Sequence, residues 1–137
     1  MGGSSNKTYP VVAVKKDPTN PEYIGPGFWI NIHSMARRSG EIGTMEMKMQ
    51  FIDYMRSLTS SFPCGVCRNH IKEYLDNHPF NSYMTIKYNG VDVGLFKWSV
   101  DFHNTVNNRL GKEVLSFETA HDMYYSADAV CSADCGY

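Results

Sequence analysis

Trp98-Ser-Val-Asp-Phe-His103-Asn104-Thr-Val106-Asn107 follows Cys64-Gly-Val-Cys67 by about thirty residues, and the fold turns on that stretch. Leu95, Trp98, Phe102, Val106 and Leu110 recur there at the spacing of one helical face. His103 and Asn107 stand four residues apart, so their side chains share a face, with Val106 and Trp98 flanking it. An indole, an imidazole and amides on one helix suit gripping a flat ligand with polar edges. The plainer alternative is a core helix with a satisfied histidine. Buried polar groups need partners, and a His-Asn-x-x-Asn cluster on an otherwise apolar helix asks for several.

Working outward, four further helices are expected. Phe28, Trp29, Ile32, Met35 and Ala36 fall at helical spacing, with Pro26 suited to the helix start. Phe51, Ile52, Met55, Leu58 and Phe62 form a second apolar face that ends at Pro63. A third helix begins at the cysteine pair and runs through Ile71, Tyr74 and Leu75 towards His78-Pro79. Ser116, with Glu118 in the first turn, caps a fifth that carries Met123 and Tyr124. Between the third helix and the Trp98 helix, β-formers flank Asn89-Gly90, the signature of a tight hairpin. The fold class is therefore all-α, a compact helical bundle with a small hairpin-like insertion near 82–94.

Composition narrows the function. A chain of 137 residues is one domain, and 42% apolar content fits a globular protein. A net charge of −1 gives no electrostatic case for nucleic acid. No apolar run reaches the roughly 18 residues of a membrane span, and no secretory h-region is visible at the N-terminus. Met1-Gly2 begins like a myristoylation signal, but Asn6 stands where Ser or Thr is required. Residues 1–22, rich in Gly, Ser, Pro and Lys, are expected to be a flexible arm before a domain over 23–126, with a cysteine-pair tail over 127–137.

The four cysteines form two close pairs, Cys64/Cys67 and Cys131/Cys135. Pairing by proximity is the simplest of the three possible connectivities. Pro63 places Cys64 at a helix N-terminus, where the dipole favours a thiolate, and Cys67 lies one turn further on. Thiol redox is one reading of such a pair. Zinc held by Cys64, Cys67, His70 and His78 is another, although the histidine spacing is wider than usual. Thioredoxin-like chemistry lacks its βαβ surroundings.

Taken together, these motifs resemble the Erv/ALR family of FAD-linked sulfhydryl oxidases, whose pattern is C-x-x-C followed by W-x4-H-N-x-V-N-x2-L-x-K. Trp98, His103, Asn104, Val106, Asn107, Leu110 and Lys112 meet the second half without a miss. Gly25-Pro-Gly-Phe-Trp29-Ile-Asn-Ile-His33 looks like the family's first flavin-contacting segment, G-x3-W-x3-H. The resemblance implies a four-helix FAD-binding bundle plus a short fifth helix, packed as a homodimer through the first two helices. It implies an enzyme that makes disulfides in protein dithiol substrates and passes the electrons through Cys64-Cys67 and FAD to molecular oxygen, giving hydrogen peroxide. By that analogy Cys64 is the sulfur attacked and Cys67 the one beside the isoalloxazine. FAD contacts would come from Gly25, Trp29, His33, Cys67, Trp98, His103, Asn104, Val106, Asn107, Lys112 and Tyr124, with Lys112 meeting the pyrophosphate and no metal required. His70 matches a common family position.

Cys131-Ser-Ala-Asp-Cys135 matches relatives by position only, either as a mobile shuttle disulfide or as a staple for the last helix. The long-range structural disulfide of several relatives has no counterpart, since neither 76–78 nor 114–117 contains cysteine. Two family settings accommodate disulfide chemistry without a secretory signal: a virus-encoded oxidase in host cytoplasm or virion, and an enzyme of the mitochondrial intermembrane space. The competing class is a non-enzymatic helical binding module, zinc-stabilised.

Overall fold

A computed structural model describes residues 15–126. Five helices carry the fold: α1 Pro21–Ile42, α2 Met45–Ser61, α3 Gly65–Asn77, α4 Gly94–Arg109 and α5 Phe117–Tyr125. A single 3-10 turn, Phe80–Tyr83, and a two-stranded hairpin, β1 Lys87–Tyr88 and β2 Val91–Asp92, lie between α3 and α4.

The first helix starts earlier than the spacing predicts. Asn20 caps it by accepting from the Glu22 N–H at 3.0 Å, and Pro21 takes the first helical position, where a missing N–H costs nothing. Pro26 sits inside the helix instead of opening it. It forgoes one backbone bond, to the Glu22 carbonyl, near the exposed end where such a loss is cheapest. Of the arm expected over 1–22, residues 1–14 lie outside the described residues, and Pro21 and Glu22 belong to α1.

Three of the remaining helices start at a capping side chain, while α4 begins at Val93 with none. Thr44 accepts from the Met47 N–H and Ser116 from the Thr119 N–H. Cys64 is itself the N-cap of α3, its sulfur accepting from the Cys67 N–H at 3.3 Å. Cys64 therefore stands at the N-terminus of α3, directly after Pro63.

The core is aromatic. Trp98 and Phe96 are fully buried on α4, and Phe51, Met55 and Leu58 meet them from α2. Trp98 packs edge-on against Phe51 and Tyr74 and tilted against Phe80, while its indole N–H donates to the His78 carbonyl at 2.9 Å. That bond ties the far end of α3 to α4, so the helix that carries the cysteine pair cannot slide.

The insertion is a true hairpin, though shorter than expected. Lys87 pairs with Asp92 and Tyr88 with Val91, leaving Asn89 and Gly90 as the two turn residues, at φ 51° and 80°. Both positive angles are what a two-residue turn between twisted strands needs. The hairpin docks through Asp92, whose carboxylate accepts from the ammonium of the buried Lys48 at 2.8 Å. Gly40 of α1 lies directly beneath the Asp92 carbonyl, where any Cβ would collide.

Candidate active site

Cys64 and Cys67 are joined in a disulfide at the start of α3, their Cα atoms 5.1 Å apart. Both are partly exposed. Arg68, one residue on, folds back so that its guanidinium donates to the Phe62 carbonyl at 2.6 Å and lies over Gly65. A fixed cation beside the pair adds to the helix dipole in favouring thiolate. The sequence reading missed it, although an Arg immediately after C-x-x-C is a visible signal.

Behind the disulfide, α1, α3 and α4 enclose a cavity of about 490 Å³. Its wall includes Trp29, Phe28 and Ile32 from α1, Cys67 and Ile71 from α3, and Phe102, His103, Val106 and Asn107 from α4. Lys112 and Arg109 bring cations to it, and Tyr124 reaches it from α5. The volume lies in the usual range of cofactor pockets, roughly 300–1,000 Å³.

Most of the residues singled out in the sequence converge here. Gly25, Trp29, Cys67, His103, Val106, Asn107, Lys112 and Tyr124 all line the cavity. Cys64 does not, so the two sulfurs are unequal: one faces the cavity, the other caps the helix outside it. His33 and Asn104 instead line a small adjoining void of about 60 Å³, which His103, Asn107 and Tyr124 share. The Asn104 side-chain amide and the Leu115 backbone are bonded reciprocally. The amide donates to the Leu115 carbonyl at 2.7 Å, and its oxygen accepts from the Leu115 N–H at 3.1 Å. Asn104 therefore pins the loop that carries Lys112 and lines no part of the large cavity.

Trp98 stands apart from the cavity residues. It lies sealed in the core and lines neither space. Five residues separate it from His103, about 140° around a helix at 3.6 residues per turn, so the two point to different faces. The cavity face of α4 is the row 102, 103, 106, 107 and 110. Cys131 and Cys135 lie outside the described residues. The two sulfurs, His70 and His78 do not assemble as metal ligands: among the described residues no three His, Cys, Asp or Glu side chains come together, and the His78 ring stacks on Tyr74.

Packed rings back the cavity. Trp29 lies flat on His103 with ring centres 3.9 Å apart, and its edge meets Phe102. His33, buried on α1, places Nε2 2.9 Å from His103 Nδ1 and Nδ1 2.8 Å from Ser99 Oγ. Burial, with the neighbouring His103 adding to it, pushes His33 down from 6.5 to about 3. Burial, then the Lys112 charge, pushes His103 down to about 4. Both rings are neutral near pH 7.

A stability consequence follows with a definite sign. Above pH 6.5 both rings are neutral folded or unfolded, and neither contributes. As pH falls through the window from 6.5 to about 3, the unfolded chain takes up a proton at His33 that the folded protein refuses. Stability is then lost towards acid, by about 2 kcal/mol at pH 5 from His33 alone. Urea midpoints at pH 7 and pH 5 check this, and equal midpoints would count against a neutral buried pair.

A helical bundle that sets a partly exposed disulfide against a large aromatic cavity defines a class: an all-helical thiol–disulfide exchange protein built around a ligand. The sequence profile of the Erv1 / Alr family matches residues 26–126, and the chain belongs to that family. An African swine fever virus protein named FAD-linked sulfhydryl oxidase is 29% identical over 102 residues, covering 73% of this chain and 78% of that one. FAD-linked sulfhydryl oxidase ERV1 of Arabidopsis thaliana is 30% identical over 115 residues, covering 84% of this chain and 56% of its own length. The crystal structure of the yeast Erv1 core superposes with a TM-score of 0.66 at 20% identity, over 90% of this chain and 96% of that one, which shows the shared fold.

Proposed function

We propose that this chain is an FAD-linked sulfhydryl oxidase that makes disulfides in dithiol substrates through Cys64-Cys67. The observation that carries the reading is the inequality of the two sulfurs: Cys67 stands in the cavity wall, and Cys64 stands outside it as a helix cap. A substrate thiolate attacks Cys64, forming a mixed disulfide and releasing Cys67 as thiolate into the cavity wall. The second substrate thiol then displaces Cys64, so the substrate leaves oxidised and the pair reduced by two electrons. The helix dipole and the Arg68 guanidinium stabilise the Cys64 thiolate at that moment. Bound FAD would supply the two-electron acceptor and the onward transfer to oxygen that yields hydrogen peroxide.

The residues present fit that cofactor. Trp29, Phe102 and Val106 offer flat apolar walls, His103 and Asn107 offer polar edges, and Lys112 with Arg109 offers cations for phosphate. Lys112 is engaged only weakly, 3.9 Å from the exposed Glu22 carboxylate, and is free to turn to an anion. His33 and Asn104 act one layer back, and Trp98 holds α3 against α4. Purified protein is expected to be yellow and to release one FAD per chain on acid precipitation. Stoichiometric zinc with no flavin absorbance would instead favour the non-enzymatic binding module.

Two finer elements belong to the same proposal. The first is a homodimer packed through α1 and α2, on which Tyr23, Ile30, Met45 and Met49 leave apolar surface exposed. The second is a shuttle formed by Cys131 and Cys135. Five residues lie between Tyr125 and Cys131, so the Cys131 position can stand roughly 20 Å from Tyr125 in extended chain, enough to visit an active pair. Replacing both with Ser is expected to spare dithiothreitol oxidation and flavin content while slowing oxidation of a protein dithiol about tenfold or more. Equal loss on both substrates, with lower thermal stability, would make the pair a staple.

A further inference from the structure

Ser99 is fully buried on α4, one turn before His103, and nothing in the oxidase chemistry above uses it. Its hydroxyl touches two groups: the Phe96 carbonyl at 2.6 Å and His33 Nδ1 at 2.8 Å. A hydroxyl has one proton. Two oxygens 2.6 Å apart without a proton between them repel, so the proton lies towards Phe96 and Ser99 Oγ accepts from His33 Nδ1–H. A neutral His33 then has a bare Nε2, which must accept from His103 Nδ1–H across 2.9 Å. His103, neutral as well, has spent its one proton, and its own Nε2 is bare. No group among the described residues hydrogen-bonds that nitrogen, and His103 lines the large cavity.

We infer that Ser99 fixes the tautomers of His33 and His103 so that His103 presents a hydrogen-bond acceptor to the cavity, and that the cofactor group seated there is a donor, a sugar hydroxyl or an exocyclic amine. Carbonyl and phosphate oxygens are rejected at that position, because they would face a lone pair. This rests on the FAD reading above and deepens it. Ser99 is a positioning residue: it acts on the cofactor through two rings and touches neither cofactor nor substrate. The burial that keeps both rings neutral is what makes the relay rigid, since a second proton on either ring would break the chain of single donors. The arrangement also accounts for a histidine pair placed edge to edge between α1 and α4, where two apolar residues would fill the space without specifying anything.

The test is nitrogen-15 NMR of the imidazoles of full-length protein at pH 7, with and without FAD. Expected are pyrrole-like shifts for His33 Nδ1 and His103 Nδ1 and pyridine-like shifts for both Nε2 atoms, with His103 Nε2 moving when FAD binds. Ser99→Ala removes the acceptor for His33 Nδ1–H and is expected to reverse both tautomers and weaken FAD binding about tenfold, with Ser99→Thr restoring the wild-type pattern. Parallel titrations with FMN locate the donor: a loss confined to FAD places it on the adenosine half, and a loss with both on the ribityl chain. If Ser99→Ala fails to fold, the wild-type shifts decide alone. A protonated His103 Nε2 in flavin-binding wild type, or unchanged tautomers and affinity in folded Ser99→Ala, would overturn the relay. The expected shifts in a protein that takes up no FAD would support the relay and overturn the oxidase reading.

Discussion

Cys67→Ser and Cys64→Ser are each expected to reduce dithiothreitol oxidation to background, a loss on the order of a thousandfold. Neither thiol alone can complete a two-electron exchange, because one sulfur must be attacked while the other leaves. The two variants separate spectroscopically. Cys67 lines the cavity and Cys64 does not. With Cys67 retained, its thiolate is expected to give a long-wavelength charge-transfer band with bound flavin. With only Cys64 retained, the band is missing. The measurement is the visible spectrum of each flavin-loaded variant at neutral pH, and a band in Cys67→Ser with none in Cys64→Ser would exchange the two roles.

Trp29→Ala carries the next largest effect, on cofactor affinity. Trp29 supplies a broad apolar face to the cavity and holds the His103 ring flat at 3.9 Å. Losing it removes both a stacking surface and the support of a neighbouring polar contact. An aromatic pair contributes about 0.5–1.5 kcal/mol beyond area burial, and with the lost area the FAD dissociation constant should rise about 10- to 100-fold. Fluorescence titration reads the constant, and far-UV circular dichroism confirms that the bundle persists. Undiminished affinity would place the cofactor elsewhere.

Local chemistry in the sequence carried much of the architecture. Asn89-Gly90 announced the hairpin because so few residues tolerate two successive positive φ angles, and the turn forms at those two positions. Pro63 and the C-x-x-C pair announced a helix start, and Cys64 is its cap. The start of α1 was misread because Pro26 was the stronger punctuation mark, while Asn20-Pro21, a capping residue followed by a first-turn proline, was the physically better one.

Within the site, pattern alone separated poorly between cavity wall and core. Phe28, Leu58, Phe62 and Ile71 line the cavity yet have the same apolar spacing as residues packed solid. Trp98 shows the opposite case: it belongs to the motif but sits on another helical face from the cavity row. Ser99 gave a faint signal, four residues before His103 and thus on its face, but only the distance across to α1 reveals its partner.

Cys64-Cys67 is proposed to deliver electrons to a flavin held in the α1–α3–α4 cavity. Mixing flavin-loaded protein with excess dithiothreitol in the absence of oxygen tests it most directly. The visible flavin band is expected to bleach in wild type, with two electrons taken up per flavin, and to persist in Cys67→Ser. A flavin that stays oxidised while thiol titration shows Cys64-Cys67 fully reduced would contradict it.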